Sequence, residues 1–282
     1  MAESWTLLKM LRWMTGFFEE KGIASPRLEA ELLLAHTLQL DRVGLYMNYD
    51  RPLSAGELDQ IRPLVKKRGQ REPLQYLLGY TEFWSRRFNV SPAVLIPRQD
   101  TEILVEEALR LASPAGSLLD VGTGSGAIVI SLAGELPGWT LTGIDISADA
   151  LAVARDNAIL NQLADRVELV PGDLARLPEQ RYDLIVSNPP YIARQEWVEL
   201  MPEVRCHEPE IALLAENDGL YCYQELARQA STRLQPGGWL VVETGATQTE
   251  AVCRLFIEAG LSDTFVRKDY SGLPRVVGGQ LK

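Results

Sequence analysis

The apolar positions of this chain follow two different grammars. Up to about residue 80 they recur every three to four residues, the spacing of helices that bury one face. Trp5, Leu8, Leu11, Trp13 and Phe17 form one such stripe, with Gly22 behind it as a stop. Ser25 then caps a second helix whose first position is Pro26 and whose apolar face carries Leu28, Leu32 and Ala35. Ser54 and Glu57 have the spacing of a capping box and open a third. No β-rich run interrupts this region, so residues 1–80 are expected to form an N-terminal α-helical bundle domain.

From about residue 82 the pattern changes. Residues 82–90 are aromatic and β-branched, and Ser91-Pro92 leads into a second extended run at 93–97. Two short runs about a turn predict a β-hairpin linker over 81–97. A helix over 100–112 follows. Strand candidates at 117–121, 140–145, 167–171, 182–187, 239–243, 263–267 and 275–279 then alternate with helices at 126–136, 148–162, 219–234 and 247–260. This alternation predicts an α/β domain over 98–282, a mostly parallel seven-stranded sheet with helices on both faces.

Composition narrows the class. Hydrophobic residues are 46% and charged residues 23%, which excludes a mostly disordered chain. No run approaches the roughly 18 apolar residues of a membrane span. Glu3 and Arg12 in and before the first apolar run do not suit a secretory signal, so the cytoplasm is the expected location. Lys and Arg number 28 against 38 Asp and Glu, a net charge of −10, which argues against a surface tuned to nucleic acid. The deficit lies wholly beyond residue 85, since residues 1–85 hold eleven of each sign. Arg62, Lys66, Lys67, Arg68 and Arg71 cluster within that neutral part. They read as a solvated helix face or, for an anionic partner, as the better landing place. Cys206, Cys222 and Cys253 show no CxxC pairing, and His36 and His207 are the only histidines, so neither a disulfide framework nor a metal site is expected.

Two segments carry chemistry. Residues 117–130 read as a strand, a glycine turn and a helix start, with Gly122, Thr123, Gly124, Ser125 and Gly126 in the turn. Glycines let the backbone bend sharply and approach a ligand, and the helix start offers free N–H groups. Asp145 ends the next strand, 23 residues after Gly122, where a carboxylate suits two ribose hydroxyls. A nucleoside-containing cofactor follows, and the turn alone leaves a dinucleotide open. The strand over 182–187 then runs into Asn188, Pro189, Pro190 and Tyr191. In an open parallel sheet, ligands sit beyond the carboxyl ends of the strands, where this loop and the glycine turn both emerge.

The combination of DVGTGSG (120–126), Asp145, NPPY (188–191) and DYSGLPRVVGG (269–279) resembles the S-adenosylmethionine-dependent methyltransferases that modify glutamine in peptide chain release factors. The resemblance spans essentially the whole chain, including the helical N-terminal region, LIPR (95–98) and EPEIAL (208–213). It implies a Rossmann-like class I methyltransferase domain. NPPY is shared with enzymes that methylate the exocyclic amine of adenine in DNA or RNA, which stand as the alternative; a binding module without activity and a dehydrogenase come after. Two departures stand out: Gln99-Asp100 where the family more often has Pro-Glu, and Cys206-His207 in a stretch usually acidic or apolar.

The resemblance also implies roles. Residues 122–126 would wrap the methionine end of S-adenosylmethionine, Asp145 would hold the ribose, Asp173 and Leu174 would border the adenine, and Asn188 would contact the cofactor as well as the substrate, with S-adenosylhomocysteine as product. Asn188 and the backbone carbonyl of Pro189 would accept the two hydrogens of the substrate amide, with Pro190 stiffening the loop and Tyr191 as a flat wall. Asp120 would receive the cofactor's ammonium group or brace the glycine turn, and Glu243 would be a buried structural carboxylate or a direct contact. Ile128, Val129 and Leu132 are assigned to the core. The chain's own Gly278-Gly279-Gln280 matches the family's target tripeptide, but it closes a predicted strand and is not expected to be a substrate.

Overall fold

A computed structural model describes residues 5–282. Glu3, used above against a secretory signal, lies outside them. In chain order the helices are α1 (Leu7–Glu20), α2 (Pro26–Leu38), α3 (Arg42–Met47), α4 (Ala55–Gly69), α5 (Leu74–Leu78), α6 (Glu102–Leu111), α7 (Ala127–Glu135), α8 (Ala148–Leu160), α9 (Pro202–His207), α10 (Tyr221–Arg233) and α11 (Thr249–Glu258). The strands are β1 (Tyr80–Phe83), β2 (Arg86–Asn89), β3 (Gly116–Val121), β4 (Trp139–Asp145), β5 (Val167–Pro171), β6 (Tyr182–Ser187), β7 (Leu234–Glu243), β8 (Leu261–Lys268) and β9 (Pro274–Leu281). They group into two compact units. One holds the chain up to Gly79 together with Met201–His207; the other holds Tyr80–Leu200 and Glu208–Lys282.

In the first unit, α4 starts as expected: Ser54 accepts from the Glu57 amide, and Glu57 reaches back to the Ser54 amide. The buried face of α1 differs from the expected stripe. Leu7, Met10, Leu11, Met14 and Phe18 point inward, whereas Trp13 is 47% exposed. Trp13 stacks on Phe17 at 5.6 Å between ring centroids and Trp5 packs edge-on against it, so the aromatic ridge runs beside the core and the slimmer methionines fill it. In α2 the inward residues are Ala30, Leu33, Leu34 and Ala35, with Leu28 left exposed.

The basic cluster divides. Arg62 is solvated and pairs with Asp59 at 3.1 Å. Arg68 is buried between two carboxylates, Glu29 and Glu203, the latter at 3.1 Å. Arg71 also pairs with Glu203, at 2.7 Å, and caps the Lys21 and Gly22 carbonyls. Glu203 lies on α9, so this ion-pair network fastens a distant stretch of chain into the helical unit.

The second unit is a seven-stranded sheet in the order β5-β4-β3-β6-β7-β9-β8. The first five strands are parallel, and β9 runs antiparallel to both β7 and β8. Apolar clusters cover its two faces, one around Val129, Leu132 and Leu104, the other around Tyr223, Leu240 and Phe256. The hairpin β1–β2, expected as a linker, belongs to this unit. Phe83 and Phe88 enter the first cluster, and Asn157 of α8 accepts from the Asn89 amide at 2.7 Å and donates back to its carbonyl at 3.0 Å. Among the described residues no helix is long and apolar enough to cross a membrane.

Replacing Arg68 by Met leaves the buried Glu203 and the half-buried Glu29 without their shared cation. The variant is expected to lose about 3 kcal/mol of stability, seen as a lowered urea midpoint, since breaking a buried ion network from one side leaves uncompensated charge.

Candidate active site

The winding of the sheet reverses beside β3: β4 and β5 extend it one way, and β6 returns to the other side. Val121, the last residue of β3, lies opposite Ile144 of β4 and Ser187 of β6. The Ser187 hydroxyl donates to the Val121 carbonyl at 2.7 Å and ties these ends together. The glycine turn and the NPPY loop therefore leave adjacent strands at one level.

The turn is held from both sides. The Gly122 and Thr123 amides donate to the Ile144 carbonyl, each at 2.9 Å. The Gly124 amide donates to Asp145 Oδ2 at 2.8 Å, while Asp145 Oδ1 accepts from the Ser147 amide at 2.9 Å. Gly126 has φ +80°, and a Cβ there would stand 2.7 Å from Ile130 Cδ1, so a side chain is excluded on two grounds. Beneath the turn, Thr123 Oγ1 donates to Asp120 Oδ2 at 2.6 Å. Asp120 is fully buried, and among the described residues its Oδ1 has no hydrogen-bond partner. Burial pushes its carboxyl up to about 7, Asp145 adds to this, and bonds from Thr123 and the Val129 backbone oppose it.

These elements surround one cavity. Gly122, Thr123, Gly124, Ser125, Asp145, Asp173, Leu174, Asn188 and Pro190 all line it, as expected for a single site. Three expected residues do not. Gly126 supports the turn from behind, and Pro189 is buried. The Tyr191 ring packs against the second apolar cluster, and burial, with Glu243 beside it, raises its phenol to about 12. Its carbonyl is held by Gln248 Nε2 at 2.9 Å. Tyr191 is not among the residues that line this cavity. Asp120 does not line the cavity either, which favours bracing over contact with an ammonium group.

Several lining residues were not read from the sequence. Arg98 and Thr101 arrive from the segment before α6, and Ile211, Ala212 and Tyr221 from the stretch after α9. Ile128 is 7% exposed, yet it faces the cavity as well as the core. Ile146, next to Asp145, is 63% exposed at the lining, a placement that solvent alone does not favour. Glu208, from the EPEIAL segment, is buried; it accepts from the Ile96 amide at 3.2 Å and pairs with Arg98, which fixes the LIPR wall. Gln280 lies in β9 and donates to the Gly237 carbonyl at 2.9 Å, while Gly278 and Gly279 pair with Val241 and Leu240. The chain's own GGQ lies within the sheet. Among the described residues no cluster of three His, Cys, Asp or Glu could hold a metal ion.

In sequence the chain is 49% identical to the release factor glutamine methyltransferase of Geobacter sulfurreducens, over 99% of its own length and 98% of that protein's. The chain belongs to the release factor glutamine methyltransferase family. The relative from Chlorobaculum tepidum is 41% identical, over 96% of each chain. A model described as the PrmC N-terminal domain matches residues 9–79, and one described as the methyltransferase small domain matches 99–204. A methyltransferase from Pyrococcus furiosus has the same fold, with a TM-score of 0.52 at 18% identity over 68% of this chain and 87% of that one. A methyltransferase domain of this class uses S-adenosylmethionine, and the residues present fit it. The turn exposes bare backbone at Gly122, where nothing stands within 4 Å of an added Cβ. Each Asp145 oxygen accepts one backbone bond, which leaves a lone pair on each for a ribose diol.

A carboxyl raised on folding makes the native state bind more protons than the unfolded chain, so Asp120 lowers stability as pH rises from about 4 through about 7. Asp120→Asn removes that contribution. Relative to the native chain it is expected to gain on the order of 4 kcal/mol between acid and neutral pH, read from urea midpoints across the range.

Proposed function

We propose that this chain transfers a methyl group from S-adenosylmethionine to the side-chain amide nitrogen of the glutamine in the GGQ motif of peptide chain release factors, leaving S-adenosylhomocysteine. The observation that carries this reading is that Asn188 and the glycine turn open into one cavity, in a chain whose whole length matches the family. The reaction is placed in the cytoplasm, where translation ends.

The chemistry is demanding because an amide nitrogen shares its lone pair with the carbonyl. When bound, S-adenosylmethionine supplies a methyl carbon made electrophilic by its positively charged sulfur. The protein's part is to hold the amide so that its nitrogen faces that carbon. Asn188 Oδ1 and the Pro189 carbonyl are the two acceptors for the NH2 hydrogens, and the rigid Pro189-Pro190 backbone fixes their direction. With both hydrogens held in place, the nitrogen lone pair is aimed outward along one line. Once the nitrogen–carbon bond forms, one proton becomes acidic and leaves to water, so no strong base is required. Asp145 anchors the ribose, and Asp173 and Leu174 border the adenine. Asp173 Oδ1 already accepts from the Ala175 amide at 2.9 Å, leaving Oδ2 for an exocyclic amine.

One glutamine offers little surface for recognition, so the helical unit is assigned the grip on the rest of the protein substrate. Its groove of Trp13, Phe17, Lys21, Arg62 and Lys66 combines an apolar floor with a basic rim. Lys66→Glu is expected to raise the KM for intact release factor about fivefold with kcat unchanged, measured by steady-state kinetics; an unchanged KM removes the groove from recognition.

The direct test is methylation of a purified release factor, with mass spectrometry locating the modified residue. A single methyl on the GGQ glutamine is expected. Asn188→Ala should lower kcat by about 100-fold or more while calorimetry finds cofactor binding retained. Methyl transfer to duplex DNA and none to the factor would overturn the reading.

A further inference from the structure

A primary amide has two ends of nearly the same shape, and only the oxygen accepts hydrogen bonds. For Asn188 to hold a substrate NH2, its Oδ1 must face the cavity and its Nδ2 must face away. The asparagine cannot make that choice alone; its neighbours make it.

Asn188 Nδ2 donates to Thr101 Oγ1 at 3.2 Å. Thr101 is 4% exposed, and it favours the ionised form of the nearby Glu243 carboxylate. A hydroxyl carries one hydrogen, and an ionised carboxylate only accepts. A hydrogen turned toward Glu243 leaves the oxygen's lone pairs for Asn188. Glu243 is 2% exposed, and among the described residues its Oε2 has no hydrogen-bond partner. The sheet puts it there: Ser187 lies opposite Val242, so Asn188 and Glu243 leave neighbouring strands at the same level. An acid held dry with an unused oxygen costs stability.

We propose that Thr101 and Glu243 are positioning residues: Glu243 sets the direction of the Thr101 hydroxyl, and that hydroxyl sets which end of the Asn188 amide meets the substrate. This rests on the glutamine-methylation reading and adds to it two residues that act through Asn188.

The arrangement has a pH dependence built in. Glu243 is faced by Arg98 and Asp100 from the segment before α6, by Arg275 of β9, by Tyr191 after β6 and by Tyr223 of α10, whose hydroxyl donates to the Glu243 backbone carbonyl at 3.0 Å. Arg275 is itself engaged by Asp269 at 3.0 Å and Asp100 at 3.4 Å. Burial dominates and raises the carboxyl to about 7; Thr101 and the two arginines oppose it, and Asp100 adds to it. Once protonated, Glu243 can donate. The Thr101 hydrogen is then free to turn toward Asn188, and the amide loses its bias. The competent orientation belongs to ionised Glu243, so activity rises with pH through its titration.

The test uses the full chain with purified release factor and S-adenosylmethionine. Thr101→Val is nearly isosteric and removes only the hydroxyl. It should lower kcat by about 10- to 100-fold while calorimetry finds cofactor affinity within about twofold of the native chain. Thr101→Ser should restore most of the rate. The native kcat should rise between about pH 6 and pH 8, and Glu243→Gln should abolish the rise. Independently of turnover, the side-chain amide 15N resonance of Asn188, assigned by its loss in Asn188→Asp, should shift over the same pH range in the native chain and stay fixed in Glu243→Gln. A native rate in Thr101→Val, equal losses in Thr101→Val and Thr101→Ser, or a pH rise that survives Glu243→Gln would each overturn the proposal. A native chain inactive on release factors refutes the functional reading instead, and the Asn188 resonance then still decides the positioning role.

Discussion

A parallel sheet that reverses its winding beside one strand cannot cover that point with a crossover on either side. Here the strand is β3, and the reversal leaves its carboxyl end and that of β6 side by side. Everything chemical in the molecule is hung on that gap. The glycine turn leaves one strand and the NPPY loop the other, and the Ser187–Val121 bond holds their origins in register. The cofactor's carbon and the substrate's nitrogen need to meet at bonding distance, and two loops springing from adjacent strands at one level provide that without any hinge.

The carboxyl end of the sheet gathers the acids. Asp120 is the last but one residue of β3 and Glu243 ends β7, both are buried, and both are pushed up to about 7. They serve different ends. Asp120 is tied to Thr123 and stiffens the glycine turn from below, while Glu243 reaches Thr101 and through it Asn188. Stability is given up at both places for rigidity around the reacting groups, a pattern common where geometry matters more than strength.

What the sequence revealed was local. The glycine turn, Asp145 and NPPY are local patterns whose spacing carries its own physics, and each reaches the cavity, the turn through residues 122–125 and NPPY through Asn188 and Pro190. The strands of the second unit were legible from alternation. The antiparallel turn of β9 was also within reach, because the five residues from Asp269 to Leu273 cannot house a parallel crossover. The buried face of α1 does not follow from side-chain bulk, because aromatic rings that pack on one another satisfy their surface at the rim of a core. The contact of Thr101 with Glu243 left no signal, since it joins distant segments through single side chains. Arg68 was likewise hidden within a run of charges, and only its partners mark it as interior.

The helical unit is not one stretch of polypeptide. Its buried arginine is neutralised in part by a glutamate that the ribosome delivers well over a hundred residues later. Excised at residue 79, this unit would retain its hydrophobic centre and Glu29 but lose the second of the two counter-ions of Arg68. Anyone grafting it onto another enzyme, or expressing it as a recognition module, would have to carry a second, non-contiguous piece of the gene.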